Sequence, residues 1–186
     1  MSWRTGEKPM EREIELAREE GGVEFVQGRL IDKPCSRTTS STSVQIIMAL
    51  GPGEHEAEAP WVFTSNLGYQ CFADDPTGFR KPSVSVIKAA RMKGVDQDAP
   101  LCTIPPDLAV EVVDSAELIY DHNRRIDQYL ANGFPLIWVV EPRTRTVTVY
   151  RGDGSVSRLH ETDEIDGESA LPTFKCKVSE FFGKPG

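Results

Sequence analysis

The chain has 186 residues, 39% hydrophobic and 27% charged, an ordinary globular composition that is sufficient for one domain with a sizeable core. Its formal net charge of −8 excludes an overall field that attracts nucleic acid, so a polyanionic substrate would need a local basic groove or a bridging metal ion. No apolar run approaches the length of a membrane span, and Met1–Arg4 lack the apolar core of a signal peptide. We therefore expect a cytoplasmic protein without a membrane partner.

The N-terminal part is predicted to carry a hairpin extension. Residues 1–9 are polar and unpatterned, and Met10–Glu20 is consistent with a short surface helix, so we expect residues 1–20 to be a flexible end plus this helix. The segments 23–26 and 29–32 alternate as two strands around Gln27-Gly28. A single domain is expected over residues 21–183.

The next elements are predicted to alternate between short strands and one helix. Hydroxyl residues at 38–43 favour a helix start, and Val44–Leu50 is predicted as a core helix, followed by a polar loop at 54–59. Short strands are expected at 61–63, 69–72 and 82–87, with a loop or one helical turn in 88–99. The four cysteines and three histidines are scattered without a CxxC pair, which indicates neither a zinc site nor a disulfide framework.

One strongly apolar predicted strand contains an acid. The run 108–113 is apolar except for Glu111, which is typical of a central strand covered on both faces. Alternation places Asp107, Ala109, Glu111 and Val113 on one face. An ionised carboxylate there is heavily penalised unless a cation, a metal ion or strong hydrogen bonds compensate it.

The following helix offers a cation for that acid. Residues 115–132 have apolar side chains at helical spacing, and Asp121, Arg125 and Tyr129 form one line along its flank. From spacing alone, a surface ion pair within the helix is favoured. The acid nevertheless needs a partner, and of the two arginines in this helix Arg125 has the better register, so we expect it within salt-bridge reach of Glu111.

The C-terminal part completes a strand–helix–strand unit. Strands are predicted at 134–140 and 145–150, with a hairpin turn at Gly152–Gly154 and a short terminal helix that contains Val178, Phe181 and Phe182.

Several motifs together resemble the Uma family of restriction-endonuclease-like proteins, within the PD-(D/E)XK nuclease superfamily. They are GRLIDKP at 28–34, RKPSVSVI at 80–87, PDLAVEVVDS at 106–115, the spacing at 121, 125 and 129, NGFPLIWVVEPRTRTVTVYR at 132–151 and LPTFKCKVSEFF at 171–182. The resemblance covers about residues 21 to 183. It implies an α/β (α+β) fold, a restriction-endonuclease-like mixed β-sheet flanked by helices.

The resemblance also implies a metal-dependent site. Glu111 and the main-chain carbonyl of Val112 fall on ligands for Mg²⁺, or Mn²⁺, and Arg125 falls where the family has a lysine. A serine, Ser83, stands where the family usually has an aspartate ligand, so Mg²⁺ binding is expected to be weak. Asp107 is a candidate to compensate, although about 13 Å of strand separates it from Glu111, which favours an orienting or strand-edge role. Glu24 and Asp32 are weaker candidates for an auxiliary acid.

Two functions therefore stay open. One is a Mg²⁺-dependent endonuclease with a degenerate site that acts on nucleic acid, DNA by preference. By analogy it is expected to be a homodimer, because cutting both strands needs two sites. The other is an inactive nuclease fold that serves as a binding module, in which Arg125 only neutralises Glu111.

Overall fold

The computed structural model describes residues 11–51 and 59–183 and contains a central sheet flanked by helices. The predicted frayed end at 1–9 and most of the predicted loop at 54–59 lie outside the described residues. The helices are α1 Glu11–Glu19, α2 Arg37–Leu50, α3 Ala89–Met92 and α4 Ile119–Ala131, with a 3-10 turn at Val178–Phe181. The strands are β1 Val23–Val26, β2 Arg29–Asp32, β3 Trp61–Thr64, β4 Gly68–Tyr69, β5 Val84–Ile87, β6 Leu101–Cys102, β7 Leu108–Val112, β8 Leu136–Glu141, β9 Thr146–Arg151, β10 Val156–His160, β11 Glu164–Gly167 and β12 Leu171–Lys177.

The main sheet has six strands in the order β10-β9-β8-β7-β5-β3. Its central pair, β7 and β8, is parallel, and the other neighbours are antiparallel. A parallel pair needs a crossover connection, and α4 supplies it. Glu111 of β7 lies opposite Val139 of β8, so the predicted acid is in the middle of the sheet.

The two faces of β7 belong to different cores, as the alternation predicted. Leu108, Val110 and Val112 pack in the core that also contains Ile46 of α2 and Phe181 of the terminal turn. On the opposite face, Ala109 packs with Ile126 and Tyr129 of α4, and Glu111 shares this face. The predicted terminal segment forms a 3-10 turn that closes this core, since Val178 and Phe181 are fully buried.

The N-terminal hairpin was predicted correctly and is fixed to the rest of the protein. Its turn residues Gln27 and Gly28 both have positive φ, 49° and 76°, as a tight two-residue hairpin requires. Phe25 forms a β-bridge with Phe79, which joins the hairpin to the segment before β5. Lys81 donates from its ammonium to the carbonyls of Ala17 and Glu20, at 2.8 and 2.5 Å, and so caps the carboxyl end of α1.

Two predicted helix starts are wrong. Helix α2 begins at Arg37, seven residues before the predicted Val44, because Ser36 accepts a hydrogen bond from Thr39 N–H and caps it there. Val44 and Met48 are mostly exposed, so α2 is only partly a core helix. Helix α4 begins at Ile119 rather than near residue 115.

The start of α4 moves because Asp114 accepts the N–H of Ala116 and holds residues 115–118 in a turn. Leu118 and Ile119, predicted on the apolar face of the helix, are therefore exposed at 69% and 78%. None of the helices in the described part of the chain is long and apolar enough to span a membrane. The assignment of residues 21–183 to one domain stays a prediction.

Candidate active site

Glu111 is buried, with 1% of its side chain exposed, and both of its carboxylate oxygens accept hydrogen bonds. Lys33 Nζ donates to Oε2 at 2.6 Å, and the hydroxyl of Tyr129 donates to Oε1 at 2.8 Å. Lys33 follows β2, whereas Tyr129 is on α4, so donors from two distant segments meet at the central strand. The desolvation penalty of the carboxylate is thus offset by one charged and one neutral donor.

Arg125 is the third donor group near Glu111, and the expected ion pair is present. Its Nη1 lies 3.6 Å from Glu111 Oε2 and 2.5 Å from Glu117 Oε1, and its Nε lies 3.5 Å from Glu24 Oε2. The alternative surface ion pair within α4 is wrong: the side chain is 3% exposed, and its ion pairs in the described part of the chain are with these three glutamates rather than with Asp121. Burial opposes the charge, but attraction to Glu24 and Glu111 raises the pKa of Arg125 above its ordinary value.

Glu24, a minor candidate from the sequence, lies in the same cluster and is fully buried. Its Oε1 accepts the main-chain N–H of Lys81 at 2.9 Å, and its Oε2 accepts Arg80 Nη1 at 2.9 Å. Burial acts to raise the pKa of Glu24, but attraction to Arg125, Arg80 and Lys33, with the Lys81 hydrogen bond, lowers this pKa to about 2. Glu24 is therefore a permanent anion near neutral pH.

Lys33 and Tyr129 are the functional candidates that sequence reasoning missed. Lys33 is 78 residues from Glu111 in the chain, so local spacing carries no signal of the contact. The sequence placed Tyr129 on the same flank of the helix as Arg125. That shared flank was the signal that could have identified Tyr129 as a partner of Glu111. Burial, then the charges of Glu111 and Glu24, raise the pKa of Tyr129 well above its ordinary value, so its hydroxyl stays a proton donor.

Ser83 lies just before β5, beside the Glu111–Val112 segment of β7. In the antiparallel register, Ser85 faces Ala109 and Val84 faces Val110, so one further step brings Ser83 opposite Glu111. The Ser83 hydroxyl accepts the N–H of Val112 at 3.1 Å. A neutral side chain thus takes the position where an aspartate would add a second carboxylate beside Glu111.

The remaining two acids are not brought into this cluster. Asp107 pairs with Arg91 Nη1 at 3.0 Å and with Lys88 Nζ at 3.9 Å, and its Oδ2 accepts the Lys88 N–H at 2.9 Å, so it organises the segment between β5 and β7. This geometry agrees with the strand-edge interpretation rather than with compensation at Glu111. Asp32 is exposed at the end of β2, and it is the next residue, Lys33, that reaches Glu111.

The side chains of the cluster do not fit a preformed site for a divalent cation. Hard cations of this kind take several free oxygen ligands, chiefly carboxylates. Here both oxygens of Glu111 and both oxygens of Glu24 already accept hydrogen bonds, and Ser83 is neutral. Among the residues described, no three His, Cys, Asp or Glu side chains form a group that could hold a metal ion.

Removal of Arg125 should destabilise the protein strongly. Arg125→Ala leaves Glu117 and part of the charge of Glu24 and Glu111 uncompensated, and orphaning a buried charge costs about 3 to 5 kcal/mol. The measurement is urea unfolding at neutral pH. Arg124→Ala is the matched control, because Arg124 is the adjacent, partly exposed arginine whose contact is with Gln27, and its loss should cost less than about 0.5 kcal/mol. Equal losses for the two variants would contradict the arrangement.

Glu24 should make stability depend on pH in the acid range. Its folded pKa of about 2 is below the ordinary value of 4.5, so its ionisation stabilises the fold above pH 4.5, and this contribution is lost as the pH falls towards 2. In Glu24→Gln the unfolding free energy should be lower at neutral pH and should fall less steeply with acid. The exposed Glu164→Gln is the control and should keep the wild-type slope. Parallel curves for Glu24→Gln and wild type would refute the prediction.

Comparison with known proteins bears on the fold and the family of the chain. The family model Uma2, described as "Putative restriction endonuclease", matches residues 10–179. A crystal structure of "a putative nuclease belonging to DUF820" from Anabaena variabilis ATCC 29413 has a TM-score of 0.72 and 18% identity, covering 86% of this chain and 88% of that chain. At this identity the likeness shows the fold alone. No curated protein matches the sequence. The family model covers nearly the whole chain, and the fold is a nuclease-like mixed sheet, so the protein belongs to the Uma2 family.

Proposed function

We propose that the chain is an endonuclease that hydrolyses phosphodiester bonds in nucleic acid, DNA by preference, with its active site at Glu111 and with Mg²⁺ or Mn²⁺ bound only weakly. The observation that carries the proposal is the 1% exposed carboxylate of Glu111 in the centre of a nuclease-like sheet. Buried ion pairs are often no more stabilising than apolar residues of the same volume. A buried acid compensated by three groups from two segments far apart in the chain therefore favours a functional site.

Each residue of the cluster has a role in this proposal. Glu111 is the central anion, and Lys33 supplies a positive charge that a phosphate oxygen can approach, since its side chain is 10% exposed while Arg125 is only 3% exposed. Arg125 is a positioning residue, because an arginine does not readily lose its proton and is a poor base. Tyr129 holds the orientation of the Glu111 carboxylate through its hydrogen bond.

Two further basic residues on the chain segment that carries Lys33 support the approach of a polyanion to this acidic protein. Arg29 at the start of β2 and Arg37 at the start of α2 are both exposed, and Lys33 lies midway between them in the chain. Positive side chains of this kind bind phosphates without regard to sequence, and such binding weakens as salt is added.

A second candidate function has an observation of its own. Lys33 neutralises Glu111 directly, and the neutral Ser83 stands where a second carboxylate would be. The cluster is therefore electrically balanced without a divalent cation. These two features favour a nuclease fold that binds a partner and does not cleave it. The distinction is whether changing Glu111 abolishes hydrolysis or only alters stability.

Location and assembly complete the proposal. We place the protein in the cytoplasm, where free cysteines persist, because all four of its cysteines are unpaired. We also propose a homodimer, since cutting both strands of a duplex needs two copies of a single site.

Plasmid cleavage and metal titration test the function together. With Mg²⁺ or Mn²⁺ in millimolar excess, wild type should nick or cut supercoiled plasmid slowly, and Glu111→Gln should reduce the rate by roughly 100-fold or more. Ser83→Asp should tighten Mg²⁺ binding in calorimetry, because it adds a carboxylate beside Glu111, and it should lower stability without metal because the two acids repel. The double variant Ser83→Asp with Arg125→Lys should cleave plasmid faster than Ser83→Asp alone.

Control variants separate the active site from general effects of charge. Ser40→Asp adds the same acid at an exposed position of α2 and should leave Mg²⁺ affinity and cleavage unchanged. Metal-dependent cleavage that survives Glu111→Gln would show that the active site lies elsewhere. Absence of cleavage in wild type and in every rescue variant would support the binding module.

A further inference from the structure

The ammonium of Lys33 contacts two oxygens of the kinds that a hard metal ion would take. Its Nζ donates to Glu111 Oε2 at 2.6 Å and to the main-chain carbonyl of Lys81 at 2.7 Å. The positive charge also contributes to lowering the pKa of Glu24, so a second carboxylate lies within its electrostatic reach. Carboxylate and main-chain carbonyl oxygens are the ligands that Mg²⁺ and Ca²⁺ use in proteins.

The backbone that carries Lys33 is held in place. Its N–H donates to the carbonyl of Gly22 at 2.7 Å, which closes the open end of the β1–β2 hairpin. Pro34 follows directly, and its ring restricts both its own φ and the conformation of Lys33. The ammonium is therefore delivered from a fixed backbone rather than from a freely moving surface chain.

The single positive charge of Lys33 also matches the negative charge that the neighbouring residues present at this position. With Ser83 in place of an acid, Glu111 is the carboxylate that faces the ammonium, and one positive charge balances it. A divalent ion there would leave an excess positive charge near Arg125, whose Nη1 is 3.6 Å from the same Glu111 oxygen. Repulsion from Arg125 thus favours a monovalent cation over a divalent one.

We propose that the ammonium of Lys33 is a tethered cation that occupies the metal-binding position of this site, between Glu111 and the Lys81 carbonyl. A divalent ion binds Glu111 only when Lys33 leaves, and the protein is stable without such an ion. The inference rests on the proposed function only in taking this cluster as the site, and it holds whether or not the chain cleaves nucleic acid.

Removal of the ammonium should open a site for a divalent cation. Lys33→Met keeps an unbranched side chain of similar length but lacks the charge. With Mn²⁺ alone as the probe, calorimetry should show at least tenfold tighter binding than wild type, and Ser83→Asp added to Lys33→Met should tighten it again. The melting temperature of Lys33→Met in EDTA should fall below that of wild type and should recover in excess Mn²⁺.

Two further variants show whether a gain in Mn²⁺ affinity arises from removal of the Lys33 ammonium beside Glu111. Lys175→Met is the matched control, since Lys175 is an exposed lysine paired with Glu164, and it should change neither Mn²⁺ affinity nor its effect on melting. Lys33→Met with Glu111→Gln removes the uncompensated acid, so it should fold in EDTA and show no gain in Mn²⁺ affinity over wild type.

Two results would overturn the inference. One is a folded Lys33→Met whose Mn²⁺ affinity equals that of wild type. The other is a Lys33→Met that is unfolded with and without Mn²⁺ while the double variant folds. Plasmid cleavage is recorded separately on the same proteins: its absence throughout would count against the proposed nuclease, whereas the Mn²⁺ affinities alone decide the role of Lys33.

Discussion

The structure depends on compensating one carboxylate, that of Glu111, which is buried in a central parallel strand. Glu111 is covered on its face of the sheet by α4, so its charge must be compensated by protein groups or by a bound cation. Lys33, Tyr129 and Arg125 provide that compensation from two elements far apart in sequence. The N-terminal hairpin is accordingly part of the site, because the lysine that follows it is a direct partner of the acid.

The acidic and basic side chains of the cluster are equal in number. Glu24, Glu111 and Glu117 face Lys33, Arg80 and Arg125, and Arg125 is shared by all three acids. Attraction within such a network outweighs burial, which is why the pKa of Glu24 is lowered although desolvation acts in the opposite direction. A network of this kind can serve as a site for a phosphate or as a structural unit, and the partly exposed Lys33 is the group through which a ligand would meet it.

Features that depend on local pattern could be predicted from the sequence. Alternation in 107–113 correctly predicted the two faces of β7, and the Gln27-Gly28 dipeptide correctly predicted the hairpin. Predictions failed where a distant or side-chain contact decides the structure: Ser36 moves the start of α2, and the turn at Asp114 exposes Leu118. The Lys33 contact spans 78 residues and could not be read from any spacing, whereas Arg125 could, because it lies on the helix that directly follows the acid.

The most direct test of this account is a crystal structure of the wild-type protein soaked in Mn²⁺, with anomalous scattering used to locate the ion. The account predicts Lys33 Nζ in hydrogen-bond contact with Glu111 Oε2 and with the carbonyl of Lys81, and any weakly bound Mn²⁺ at Glu111 only in molecules from which Lys33 is displaced. A Mn²⁺ ion bound to Glu111 at full occupancy, or one bound while Lys33 Nζ still contacts Glu111 Oε2, would contradict it.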